Sequence, residues 1–223
     1  SQIAVWDKQQ ILENASKIVE MIDADVIAVC LNFLQEAIQP EGEAQAKSCL
    51  TTIDMLSREF GRPVIVKESG AGISGKVAHQ LKKTKISGID VGGAGGTSFS
   101  AVEYYRAKIK GDMHNIRAGQ TFWDWWIPTP TCILQVGKAT NWEIPIIATG
   151  GIRHGLDVAK ALVLGANAAG MAHALLKPAL KDRKSTELEL EVICRELRIA
   201  MFLVGVETVE RLSSVEVKYG PAE

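Results

Sequence analysis

The sequence predicts an α/β fold: a (β/α)8 barrel, with about six of the eight units present, forming a single domain over residues 1–223. Three observations predict it. Short, continuously apolar runs alternate with amphipathic stretches along the chain, the pattern of parallel strands covered by helices. Two of the runs end in glycine-rich turns, Gly92-Gly-Ala-Gly-Gly-Thr-Ser98 and Thr149-Gly-Gly-Ile-Arg153. Every polar cluster of note follows a predicted strand, at the end where this fold builds its sites.

Taken in order, Ile3–Trp6 reads as a strand. Gln9–Ile22 reads as a helix, with Ile11, Ala15, Ile18, Val19 and Ile22 on one face. Val26–Leu31 is an unbroken apolar strand, followed by a helix over Ala44–Phe60. Val64–Val66 is a strand entered through Pro63, and Ser74 can N-cap a helix reaching Lys83. Ile89–Val91 is the next strand. The stretch from Phe99 to Asn141 is long for one crossover. It is expected to hold a helix from Ala101 to about Lys110, a loop, and a second helix near Thr131–Gly137. Ile144–Ala148 is a strand, Leu156–Leu164 a helix, Ala168–Met171 a strand and Glu187–Val204 a long final helix. The tail from Ser213 is expected to fray. That makes six strands; the two further units of a closed barrel are expected ahead of Ser1.

The bulk properties narrow the function. At 223 residues the chain can bury one sizeable core. A net charge of −1 offers no electrostatic footprint for nucleic acid. No apolar run approaches the ~20 residues that span a bilayer, and no signal peptide is visible. Cys30, Cys49, Cys132 and Cys194 are far apart and form no CxxC pair, so they read as reduced thiols of a cytoplasmic protein.

Glycine lets backbone approach a ligand closely, and the free N–H groups of the helix that follows favour a phosphate. Two such turns on parallel strands suggest one phosphate gripped from both sides. Lys67, at the end of a buried strand and ahead of Glu68-Ser-Gly-Ala-Gly72, reads as a cation placed in the barrel mouth. Glu36, beside Gln35 and near Asn32, is either a ligand for a hard metal or a surface glutamate at a helix start. Arg153 is either a phosphate clamp or a surface residue. His79 and His114 read as solvent-facing. His173 ends the last strand, where its backbone rather than its side chain lines a phosphate site. Phe122-Trp-Asp-Trp-Trp126 reads as packing of the long crossover against the rim.

Six strings occur together and in order: Leu31-Asn-Phe-Leu-Gln-Glu36, Gln39-Pro-Glu-Gly42, Val66-Lys-Glu-Ser-Gly-Ala-Gly-Ile-Ser74, Asp90-Val-Gly-Gly-Ala-Gly-Gly-Thr-Ser98, Trp125-Trp-Ile-Pro-Thr-Pro130 and Ala148-Thr-Gly-Gly-Ile-Arg153. Together they resemble the type 2, flavin-dependent isopentenyl-diphosphate isomerases of archaea, over about residues 3–212. The resemblance implies a (β/α)8 barrel, assembled as a tetramer or octamer, that uses FMN, Mg2+ and NADPH to reduce the flavin. It implies interconversion of isopentenyl and dimethylallyl diphosphate, in isoprenoid biosynthesis, with the reduced flavin as the acid–base group. By resemblance, Lys67 contacts the flavin, and Thr97, Gly150, Gly151, Arg153, Ala172 and His173 line its phosphate and ribityl region. Gln35 faces the substrate, and Glu36 with Asn32 nearby holds Mg2+ against the diphosphate. Ser69 helps bind that diphosphate, and Glu103 is a proton-relay carboxylate near the flavin.

The chain departs from that family at several places. Cys30 stands where the family usually has His, Trp126 where it has Gly, Phe99 where it has Trp, and Trp6-Asp7 replaces Asn-Leu-Gly. The family's Arg-Lys-x-x-His segment and its first two strands are not in the sequence. The alternatives are another FMN barrel oxidoreductase, or a truncated barrel that serves only as an oligomeric scaffold. A 2-hydroxy-acid oxidase would place His-Gly-Gly-Arg near Ile144, where Asn141-Trp-Glu stands instead. A dehydrogenase with a loop Cys nucleophile would place that Cys after the glycine turn, where there is none.

Overall fold

The computed structural model of the chain describes residues 6–217. Five parallel strands form one sheet in sequence order: β1 (Ile27–Cys30), β2 (Val64–Lys67), β3 (Gly88–Asp90), β4 (Ile146–Ala148) and β5 (Ala168–Ala169). Unbroken sequential order with helical crossovers is the layout of a barrel wall. Among the described residues β1 and β5 are its two edges.

The register sorts the strand side chains into two faces. Ile27 pairs with Val64, Val29 with Val66, Val66 with Ile89, and Ile89 with Ile146. This face is packed by the helices, and Val66, Ile89 and Ile146 are fully buried. On the opposite, interior face Cys30 pairs with Lys67, Lys67 with Asp90, and Asp90 with Ile147. The polar members of that layer sit at the strands' C-terminal ends, which places them in the mouth.

The helices are α1 (Lys8–Ile22), α2 (Phe33–Ile38), α3 (Cys49–Glu59), α4 (Gly75–Leu81), α5 (Phe99–Lys110), α6 (Met113–Thr121), α7 (Thr129–Thr140), α8 (Gly155–Val163), α9 (His173–Lys181) and α10 (Arg183–Leu203). Local chemistry sets most of their starts. Asp7 closes a capping box with Gln10 on α1, and Ser74 caps α4 as its sequence predicts. Ser98, Asp112 and Asp182 cap α5, α6 and α10.

Several elements differ from expectation. The strand expected at Ile3–Trp6 lies outside the described residues but for Trp6, an exposed bend ahead of α1. The helix expected from Ala44 starts only at Cys49, because Ser48 at φ 70° sits in the left-handed region and the preceding loop accepts no helical register. A short helix, α2, not among the elements read along the chain, carries Gln35 and Glu36, with Glu36 in its first turn in agreement with the helix-start reading. The long crossover holds three helices instead of two, α6 being too short and polar to show periodicity. The last strand shrinks to two residues, and His173 opens α9 instead of ending the strand. A 3-10 helix over Val209–Ser214 orders the start of the expected frayed tail; residues 218–223 lie outside the described residues.

Candidate active site

The two glycine turns interlock. Gly150, at φ 100°, lies so close to the other turn that an added Cβ would fall 1.9 Å from the Gly93 carbonyl oxygen. A Cβ on Gly151, at φ 80°, would fall 2.5 Å from the Gly95 carbonyl. Only glycine fits both the conformation and the space. Buried Thr129 stitches the turns together: its hydroxyl lies 2.7 Å from Gly150 O, 3.1 Å from Thr149 O and 3.2 Å from Ala94 O. Its single proton serves one of these carbonyls at a time. Underneath, the Asp90 carboxylate accepts from the Thr149 hydroxyl and, at 3.3 Å, from the Gly92 amide, tying β3 to the turn after β4.

Above these turns opens a cavity of about 510 Å3. Lys67, Thr97, Gly150, Gly151, Arg153, Ala172 and His173 all line it, so the structure brings together the seven residues expected to bind the flavin. The Lys67 ammonium donates to Glu68 O at 3.0 Å. Arg153 is exposed on the rim; one guanidinium N–H donates to Gly95 O at 2.7 Å, leaving other donors free to turn to the cavity. The His173 side chain is exposed, while the first turn of α9 borders the cavity, as an N–H-rich helix start does at a phosphate. His154 acts locally, its ring Nδ1 capping α8 by accepting the Asp157 amide at 3.2 Å. His79 and His114 are exposed on α4 and α6, as expected.

Glu68, unremarked as a site residue in the sequence, is buried between this cavity and its neighbour. Its carboxylate accepts the Ser69 and Ala71 amides at 2.7 and 2.9 Å and so shapes the turn after β2. Burial pushes its pKa up against the pull of those amides and of Lys67.

Beside the large cavity lies a small pocket of about 20 Å3, mostly apolar in its lining, bordered by Asn32, Gln35, Glu68, Ser69, Phe99, Ser100, Trp125 and Trp126. The buried Ser100 hydroxyl borders this pocket and makes no hydrogen bond to another described residue. Gln35 donates from Nε2 to Glu103 Oε1 at 3.3 Å. Glu103 is fully buried on α5 and borders neither the large cavity nor the small pocket; it reaches the pocket through Gln35. The relay role expected of Glu103 near the flavin would therefore run through Gln35. Its other oxygen pairs with Arg106 at 2.7 Å, and Arg106 also pairs with Glu41 and holds that carboxyl below its ordinary range.

Glu36 is buried, not a surface glutamate. It accepts Asn32 Nδ2 at 3.1 Å and the Glu43 amide at 3.0 Å. Burial pushes its pKa up, but the Glu43 amide with the Asn32 and Gln39 side chains outweighs that and keeps it lowered. Glu36 borders an adjoining cavity with Cys30, and Asn32 borders both that cavity and the Gln35 pocket. No cluster of three His, Cys, Asp or Glu stands ready for a metal among the described residues. One carboxylate beside an amide suits Mg2+ held jointly with phosphate oxygens and water.

Of the aromatic cluster, Trp123 packs edge-on to Tyr104 at 5.5 Å and to Tyr105 at 6.0 Å, as expected. Trp125 and Trp126 are exposed and wall the pocket mouth instead.

Residues 28–218 match the FMN-dependent dehydrogenase family. The chain belongs to that family. Among its curated relatives are proteins named isopentenyl-diphosphate delta-isomerase. That of Methanosarcina barkeri is 47% identical over 94% of this chain and 56% of its own length. That of Thermococcus kodakarensis is 49% identical over 92% and 54%, and that of Archaeoglobus fulgidus 45% over 92% and 58%. The resemblance carried by the six strings is thereby borne out. The chain spans a little over half the length of these relatives. Among solved structures, a mandelate oxidase superposes with a TM-score of 0.67 at 20% identity, covering 96% of this chain and 61% of that one. This likeness is one of fold: the five-stranded sheet follows part of that protein's architecture. No helix of the described residues is long and apolar enough to cross a membrane.

Proposed function

We propose that this chain carries the flavin-binding and substrate-binding part of an isopentenyl-diphosphate delta-isomerase, which interconverts isopentenyl and dimethylallyl diphosphate. One observation carries the proposal: the glycine-lined cavity with Lys67 at its edge adjoins a pocket in which Asn32, Gln35 and Ser69 converge. A phosphate cradle beside a small, mostly apolar pocket edged by amide and hydroxyl side chains suits a flavin set against the hydrocarbon end of a short diphosphate ester. The names of the relatives, at 41–49% identity, support the choice of ester.

The cavity fits FMN: its volume lies within the roughly 300–1,000 Å3 of cofactor sites, and its floor admits no Cβ. Thr97, Gly150, Gly151, Arg153 and the backbone of Ala172 and His173 would hold the phosphate end, and Lys67 the ring. Bound and reduced, the flavin supplies the acid–base group beside the hydrocarbon. Lys67 balances negative charge there, and Gln35, held by Glu103, orients the five-carbon chain. Ser69 grips the diphosphate. Glu36, with Asn32, would hold Mg2+ against it. The diphosphate is the anionic handle whose binding energy positions an otherwise featureless chain.

NADPH serves as the outside reductant, and the enzyme works as a cytoplasmic homo-oligomer. Exposed Leu188, Val192, Ile199, Phe202 and Leu203 on α10 support self-association, and four free cysteines suit a reducing compartment. The test is an isomerase assay of the full-length protein with reduced FMN and Mg2+. Glu36→Gln is expected to cut turnover strongly while FMN binding is spared. Unchanged turnover in that variant would sink the metal assignment.

A further inference from the structure

We propose that Arg106 is a positioning residue that sets Gln35 and Glu36 together, an inference that rests on the isomerase reading of the site. Gln35 and Glu36 are neighbours on α2, yet each is held by a different partner. Gln35 donates to Glu103 at 3.3 Å, and Glu36 accepts the Glu43 amide at 3.0 Å. Arg106 joins those partners. Its Nη1 donates to Glu103 at 2.7 Å, and its Nη2 donates to Glu41, two residues before Glu43 in the loop after α2. The contacts close a ring: Gln35, Glu103, Arg106, Glu41, the loop backbone, Glu43 and Glu36.

The ring has two consequences. Glu103 is fully buried, so its charge needs the guanidinium, and with that charge in place it takes the Nε2 side of Gln35. The amide oxygen of Gln35 is then the end left for the pocket. On the other arm, Glu41 anchors the loop whose Glu43 amide aims Glu36. A planar guanidinium can hold two carboxylates in fixed directions, which a lysine ammonium does not reproduce. Arg106 lines neither the large cavity nor the small pocket, so it acts through these neighbours alone.

The experiment uses the full-length protein with FMN and Mg2+. Arg106→Met is expected to lower kcat by about 10- to 100-fold, as loss of a supporting partner does. It should also raise the Mg2+ concentration needed for half-maximal rate, with FMN affinity unchanged. Arg106→Lys recovers part of kcat. Glu41→Gln raises the Mg2+ requirement in the parent protein and adds nothing in the Arg106→Met background. A loss of kcat that merely tracks a loss of FMN affinity would assign Arg106 a general structural role and overturn the proposal, as would multiplicative effects of the two substitutions. A crystal structure of Arg106→Met gives a readout independent of turnover. Gln35 turned off Glu103 and the Glu43 amide off Glu36 support the ring; both contacts intact refute it. A parent enzyme with no isomerase activity would count against the isomerase reading, and the crystal structure would still decide the ring.

Discussion

Adding one methyl group at Gly150 is the sharpest test of the interlocked turns. Alanine at φ 100° carries a left-handed penalty of roughly 1–2 kcal/mol. Its Cβ would also stand 1.9 Å from Gly93 O and 2.9 Å from Thr129 Oγ1. Ordinary contact demands that the Gly93 strand end retreat by about 1.5 Å. Overpacking of that kind costs a further 1–3 kcal/mol or so, giving about 2–5 kcal/mol in all. The strain lands on the floor of the cavity, so the cofactor loses its fit as the turns part. Gly111→Ala is the control: its φ is +71° but nothing lies within 4 Å, so it carries the conformational penalty alone. Thermal unfolding and FMN titration of both variants are the assay. Gly150→Ala should melt well below Gly111→Ala and bind FMN at least about tenfold more weakly, a loss of 1.4 kcal/mol. If the two variants melt together and bind FMN equally, the turns do not interlock as described.

Other expectations follow from single groups. Thr129→Val keeps the shape but removes the hydroxyl shared by Gly150, Thr149 and Ala94; it should lose about 1–3 kcal/mol by denaturant titration and weaken FMN binding. The Glu68 pKa is raised in the fold above the ordinary 4.5, so ionising it opposes folding as pH climbs through that raised value. Glu68→Gln, whose carbonyl still accepts the Ser69 and Ala71 amides, should therefore gain in melting temperature relative to the parent between pH 4.5 and neutrality; a constant difference would contradict the burial argument. Cys132 is buried and its thiol is pushed up to about 11, and Cys49 is buried and also raised. Alkylation followed by mass mapping at mild alkaline pH should label exposed Cys194 first and leave these two for last.

Much of this was legible in the sequence, for reasons that can be traced to particular residues. Runs such as Val64–Val66 and Ile146–Ala148 are apolar on both faces, so they stand out without knowledge of the pairing. The glycine turns announce themselves because no other residue tolerates φ near 100° at 1.9 Å from a carbonyl. Lys67 and Gly150 were found at the cavity because this fold places strand ends there. What escaped was long-range. Glu103 looks like a flavin-side acid until Gln35, 68 residues earlier, is seen to stand between it and the pocket. Thr129 reads as one residue of a proline-rich turn, and only the structure puts its hydroxyl against carbonyls 20 and 21 residues away. Helices α2, α6 and α9 run for only six, nine and nine residues, too short for their periodicity to stand out.

The most direct measurement is a titration of the protein with FMN, followed by flavin fluorescence, for the parent and for Lys67→Ala. If the paired turns and Lys67 form the cofactor site, the parent binds FMN saturably at one per chain and the variant binds more weakly. Absence of saturable binding in the parent, or equal affinity in the variant, would contradict it.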